Sequence, residues 1–129
     1  MNKEEILHRG KSINTRKWVT GDLIHRNIWG TIYYYIRTED NGFEQYEEFQ
    51  VFPETVGWYI GIKDGDNEKL FIKDIVRLYG GAHLNDGTFE YDETIVIETY
   101  DDIFKILESK YVKKIGNISD NPELLEGVK

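Results

Sequence analysis

The chain has 129 residues, 40% of them hydrophobic and 14% aromatic, and a formal charge of −8 from 24 acidic and 16 basic side chains. That is enough apolar material for one domain with its own core, spanning residues 1–129, and the acidic balance opposes general attraction to nucleic acid or anionic lipid. The absence of cysteine excludes disulfides, thiolate metal sites and thiol nucleophiles together.

The opening MNKEEILHRG has no apolar run of the signal-peptide kind, and no stretch approaches a membrane-spanning length, so the expected location is the cytoplasm. Two Pro and twelve Gly are spread through the chain without a low-complexity linker.

In chain order, the first expected strand is Glu5 to Arg9, followed by a polar stretch, Gly10 to Arg16, whose residues favour turns. Trp18 and Val19 restart the apolar pattern, and Gly21-Asp22 leads into Leu23-Ile24-His25. After Asn27 to Gly30 comes TIYYYIR, Thr31 to Arg37, whose β-branched and aromatic residues suit a pleated surface. Its expected partner is Phe43 to Val51, because Asn41-Gly42 readily takes the positive φ angles of a tight hairpin turn.

Pro53 ends that arm. Further strands are expected at Trp58 to Ile62, at Leu70 to Ile72, and at Ile75 to Tyr79, where Gly80-Gly81 stops the run. Thr88 to Tyr91 and Thr94 to Thr99 follow the turn Asn85-Asp86-Gly87. Asp101 to Lys110 reads as a helix, with Ile103, Phe104 and Leu107 on one face and two Asp in its positively polarised first turn. Tyr111 to Ile118 is a last strand, and Asn121-Pro122 opens a one-turn helix ended by Gly127. The sum is a mainly β chain of seven or eight strands.

The chemistry-bearing residues are sparse. His8, His25 and His83 lack partners at ligand spacing, so no metal site is expected. DGDNE, from Asp64, resembles part of a calcium loop, but the sixth and twelfth positions, which need Gly and Glu, hold Lys69 and Ile75. A polar turn accounts for it. Adjacent acids such as Glu47/Glu48 point to opposite faces of a strand and form no acid–base pair. There is no phosphate loop, nucleophile elbow, HExxH helix or dinucleotide fingerprint. Neither catalysis nor a cofactor is expected.

The tyrosine-rich strand is the more informative feature. Period-two alternation puts Ile32, Tyr34 and Ile36 on one side and Tyr33 and Tyr35 on the other, so both faces carry apolar area, and one needs cover from a second layer, a partner subunit or a ligand. Tyr33, Tyr35 and Trp29, with Arg9 and Lys11 of the basic N-terminal cluster, are the candidate binding residues.

The ordered segments HRGKSINTRKWVTGDLI, VFPETVGWYIGIKDGDNEKLFIKDIVRLYG and IGNISDNPELLEG together resemble the YopX family of phage and prophage proteins. In HRGKSINTRKWVTGDLI the matching residues are Arg9, Gly10, Lys11, Trp18, Val19 and Gly21. VFPETVGWYIGIKDGDNEKLFIKDIVRLYG is similar to the family core, but holds Lys73 where Gly is usual and Ile60 where Thr is usual. IGNISDNPELLEG is close to the C-terminal signature. The resemblance implies a small SH3-type barrel or roll, a gene carried by phage or integrated phage, and no established activity; the residue pattern adds one or two short C-terminal helices.

Together these readings point to a non-enzymatic accessory protein that acts through contacts with a phage or host protein or through self-association as a homo-oligomer. The alternative is a nucleic-acid-binding module on an SH3-like barrel, which the net charge disfavours. No membrane partner is expected.

Overall fold

The computed structural model describes residues 7–38, 46–84 and 87–125. Their contacts gather in two compact units, Met1–Tyr59 and Ile60–Lys129.

The first unit is built from β1 (His8–Lys11), β2 (Trp18–Ile28), β3 (Thr31–Arg37), β4 (Glu48–Gln50) and the start of β5 (Gly57–Lys63). They lie side by side in the order β4-β3-β2-β1-β5, and the registers β1–β2, β1–β5, β2–β3 and β3–β4 are all antiparallel. Beyond β1, Ser12 makes a single bridge to Val51, flanked by Ile13 N–H to the Gln50 carbonyl at 2.9 Å and Phe52 N–H to the Lys11 carbonyl at 3.0 Å. Ile36 and Val51 are fully buried here. Gly10 belongs to this packing, because a Cβ on it would sit 2.9 Å from the Val51 side chain.

The second unit continues β5 and adds β6 (Lys69–Phe71), β7 (Asp74–Leu84), β8 (Gly87–Val96), α1 (Tyr100–Glu108), β9 (Tyr111–Asn117) and a 3-10 turn at Pro122–Leu125. Its three-stranded sheet runs β8-β7-β9. Leu70, Ile72, Val76, Leu78, Ile95, Ile97 and Ile106 form the core, with Ile60 packed against it. Ile60 is the position where the family usually has Thr, and its extra apolar bulk is absorbed by that cluster.

Helix α1 starts where its cap dictates. The Thr99 hydroxyl accepts from Asp102 N–H, and the Asp102 carboxylate accepts from Thr99 N–H at 2.9 Å, a reciprocal capping box. The outer edge of β9 is covered by the turn after β5: Gly65 N–H reaches the Val112 carbonyl at 3.0 Å and Lys114 N–H reaches the Asp64 carboxylate at 2.9 Å. Covering an edge in this way removes a template for unwanted strand pairing.

The mainly β expectation holds, but the described strands number nine rather than seven or eight. Nor do they close into a barrel: they form two open antiparallel sheets, and the return from the end of β4 to β1 is one bridge rather than a ladder.

The differences in element boundaries have steric causes. The first strand is His8–Lys11 and runs into the segment read as polar turn; its expected start at Glu5 lies outside the described residues. Gly21-Asp22 is not a strand start but lies inside β2, where a side chain at Gly21 would collide with the Arg37 carbonyl oxygen. Gly80-Gly81 does not stop β7: a Cβ at Gly80 would lie 2.8 Å from Lys110 Cβ and 3.0 Å from the Tyr91 hydroxyl, so glycine there marks close approach. The sequence pattern predicts separate runs at Thr88 to Tyr91 and Thr94 to Thr99, whereas one strand, β8, covers the first and the start of the second, ending at Val96. The expected turns at Asp40-Asn41-Gly42 and Asn85-Asp86 fall outside the described residues.

Lys73-Asp74 forms the entry to β7, which starts at Asp74. Lys73, at φ +79°, lies in the left-handed region that favours Gly, the residue usual at this position in the family. Asp74 is fully buried and its carboxylate accepts Phe71 N–H at 2.7 Å and pairs with the Lys114 ammonium at 3.3 Å. The backbone here ties three segments together: Lys73 N–H to the Ile97 carbonyl, Ile97 N–H to the Asp74 carbonyl and Ile118 N–H to the Lys73 carbonyl.

Candidate functional site

β2 and β3 are joined by a two-residue turn at Trp29-Gly30, paired from Asp22↔Arg37 to Ile28↔Thr31. Trp29 has φ +54° and Gly30 φ +86°, the pair of positive angles that defines a type I′ hairpin turn. Asn27 steadies it, its side-chain oxygen accepting Gly30 N–H at 2.9 Å. Every residue from 25 to 32 is exposed, so the hairpin end is an arm with solvent on both faces.

The tip of this arm is apolar. Trp29 is 100% exposed, and Ile28 and Ile32 beside it are 44% and 48% exposed. A type I′ turn favours Asn-Gly, and a bulky residue at positive φ is strained by about 1–3 kcal/mol. Trp29 therefore carries a conformational penalty that no burial among the described residues offsets.

Toward the base of the arm, cross-strand partners fall on one face: Ile24 with Tyr35, Arg26 with Tyr33, and Tyr35 with Gln50. Tyr33 and Tyr35 share that face and are half-buried. The Arg26 guanidinium lies 4.6 Å over the Tyr35 ring, a cation–π contact, and it also pairs with Glu48 at 2.8 Å. Arg37 takes the other oxygen of Glu48 at 2.9 Å. These two guanidiniums, Arg37 first and then Arg26, hold the Glu48 carboxyl below its usual range.

The other candidate residues divide. Arg9 is buried, with its guanidinium 4.6 Å over the Trp18 ring, so it packs rather than joining the exposed arm. Lys11 is half-buried, and its backbone N–H donates to the Thr55 hydroxyl at 2.9 Å. Only Trp29, Tyr33 and Tyr35 sit together on the β2–β3 hairpin.

The DGDNE segment is a turn built on Asp64. Its Oδ1 accepts Asp66 N–H and Glu68 N–H, each at 2.9 Å, and its Oδ2 accepts Lys114 N–H at 2.9 Å. Burial works against ionisation here, but the backbone donors of Lys114, Glu68 and Asp66 outweigh it and hold the carboxyl below its ordinary value. Among the described residues no group of three His, Asp or Glu is arranged to hold a metal ion.

A second exposed apolar surface lies outside the sequence expectation, which gives the helix a single apolar face. In α1, Ile106 is buried and Ile103 half-buried, whereas Tyr100, Phe104 and Leu107 are 78%, 59% and 62% exposed. At about 100° per residue the exposed three form one stripe beside the buried pair. The signal was available: five apolar residues in nine span a wider arc than one packed side uses.

Beside Leu107, within the same unit, lies an open groove of about 320 Å³ lined by Ile62, Lys110, Tyr111 and Val112 among others. The Tyr111 ring stacks on Tyr79 with centroids 5.4 Å apart.

The geometry thus defines a mainly β protein of two antiparallel sheets with a projecting hairpin arm. The chain belongs to the YopX family: the family model described as YopX protein matches residues 7–126. No curated protein and no solved structure matches it. Among the described residues no helix is long and apolar enough to cross a membrane.

The family signature has a structural explanation in its first and last segments. Arg9 stacks on Trp18, Gly10 clears Val51, and Gly21 clears the Arg37 carbonyl. In the C-terminal segment a Cβ on Gly116 would collide with the Asn121 side chain. Asn121 turns its side-chain oxygen back to Asn117 N–H at 3.2 Å, rather than serving only as the expected helix cap, and Asn117 in turn accepts Ser119 and Asp120 N–H.

Proposed function

We propose that this is a phage- or prophage-type accessory protein, non-enzymatic, that works in the host cytoplasm through protein contacts made by the β2–β3 arm. The observation that carries the reading is Trp29: fully exposed, at positive φ, at the tip of a hairpin. Strain of this kind persists where function uses it, and a large aromatic is the residue type that dominates contact energy in protein interfaces. The non-enzymatic part draws support from the acids, since Asp64, Asp74, Asp102 and Glu48 are all engaged in structural bonds.

Nucleic acid is the second reading. Residues 7–38 hold Arg9, Lys11, Arg16, Lys17, Arg26 and Arg37 against the single acid Asp22, and base stacking on exposed aromatics with nearby cations is a known binding mode.

A photo-reactive amino acid placed at position 29, in cells expressing the protein, tests both. Discrete protein adducts, absent when the same group is placed at exposed Lys113, are the expected result. Adducts to nucleic acid instead would replace the first reading with the second, and no adduct would overturn both.

A further inference from the structure

We infer that the open groove beside Leu107 and Tyr111 is a binding site for a small organic anion, an acidic group carried on a ring or a short aliphatic chain. This goes beyond the protein-contact reading of the arm and does not depend on it, because every residue lining the groove belongs to the second unit.

The groove joins two chemistries. Ile62 and Val112 are half-buried and pack against the core of that unit, and with the exposed Leu107 they supply an apolar surface. Lys63 and Lys110 line the same groove, and both are exposed. The Lys110 ammonium lies 5.6 Å over the Tyr111 ring, so it is held beside the groove's aromatic residue.

These two lysines differ from their neighbours. In the same unit Arg77, Lys105 and Lys114 are ion-paired with Asp92, Glu93 and Asp74. Lys63 and Lys110 have no ion pair among the described residues, although the chain as a whole is acidic at −8. The one carboxylate in the lining, Asp64, is committed to backbone donors: its Oδ1 accepts Asp66 and Glu68 N–H and its Oδ2 accepts Lys114 N–H.

Two ammoniums beside an apolar surface match a ligand that joins one acidic group to an apolar body. The acid makes charge-assisted hydrogen bonds to the lysines, and the body leaves water against Ile62, Leu107 and Val112. The volume of about 320 Å³ stands at the small end of the range of ligand pockets, about 300–1,000 Å³, so the body is small. A nucleic-acid strand is a poorer match. Its phosphates gain nothing from the apolar surface, and the Tyr111 ring, already stacked on Tyr79 and bearing Lys110, is no open platform for a base. Asp101, Asp102 and Glu108 of α1 also oppose a polyanion running past Leu107.

Anilinonaphthalene sulfonate, a fluorescent anion with an aromatic body, is the probe. It is titrated into the full chain as wild type, Lys63→Gln, Lys110→Gln, the double variant, and Lys113→Gln, which changes an exposed lysine outside the groove lining. Circular dichroism confirms that each variant is folded. Wild type is expected to bind the probe with enhanced, blue-shifted emission, each groove variant to bind it about threefold more weakly and the double variant about tenfold. Lys113→Gln should bind like wild type. Phenylnaphthylamine, the same body without the sulfonate, should bind more weakly and equally to all five proteins. Octanoate should displace the probe, and an oligothymidylate should not.

Equal losses in all three single variants, or no loss in the double variant, would overturn the assignment by making binding a matter of net charge or of apolar surface alone. Displacement by the oligothymidylate and not by octanoate would overturn it in favour of nucleic acid. A wild type that binds no probe would overturn it outright, and none of these results bears on the contact proposed for Trp29.

Discussion

The Arg26 guanidinium covers the Tyr35 ring at 4.6 Å while pairing with Glu48 at 2.8 Å. One carboxylate thereby holds a cation in place over an aromatic ring, and its other oxygen holds Arg37. This answers, within one chain, how the second face of the tyrosine strand is partly covered.

Glu48→Gln should loosen both arginines. Because the group is exposed, the loss of thermal stability is expected to be small and largely removed at about 1 M salt, where screening shortens to about 3 Å. Melts of both proteins at low and high salt check this; a large loss independent of salt would mean that Glu48 acts through packing.

Lys73→Gly should stabilise the protein. The family's usual Gly fits φ +79°, whereas an L side chain in the left-handed region is disfavoured by about 1–2 kcal/mol, partly offset by the greater freedom of Gly in the unfolded chain. Urea unfolding should show a higher midpoint, and a lower midpoint would contradict the assignment of strain to this position.

Asp64→Asn should destabilise the second unit by about 1–3 kcal/mol, since one of the accepting oxygens becomes an NH2 facing a backbone donor. Denaturant titration reads the loss directly. A variant as stable as wild type would show that these three hydrogen bonds are dispensable.

Stability should also fall on acidification in two stages. Burial lowers the His8 pKa below 6.5, with Asp22 opposing, and Asp64 lies below 3.8. For each group the unfolded chain binds the proton first. The His8 contribution is therefore present above about pH 6.5 and declines below it, and the Asp64 contribution is lost only as pH falls below about 4. His8→Phe should remove the first stage while leaving the second, as followed by unfolding between pH 8 and pH 3.

How far the fold was legible in the sequence depended on the kind of glycine involved. Thr31 to Arg37 was readable because β-branched and aromatic residues leave few alternatives. Gly21 and Gly80 misled because they permit close approach between strands, to the Arg37 carbonyl and to Lys110, and composition cannot tell that use from a turn. The β2–β3 turn escaped for the opposite reason: Trp29 sits where pattern rules look for Asn.

The same holds for the candidate site. Trp29, Tyr33 and Tyr35 were visible as aromatics on a strand and its approach, but Arg9 was read from charge alone and lies buried against Trp18. The exposed helix stripe required knowing which of two adjacent apolar stripes the core takes.

The most direct measurement is the unfolding free energy of Trp29→Asn against wild type. If Trp29 serves a contact outside its own chain, Asn at the type I′ position relieves the strain, and stability rises by about 1 kcal/mol with the fold unchanged. A loss of about 2 kcal/mol or more, as expected when a buried aromatic is truncated, would show that Trp29 packs within the chain and would contradict the account.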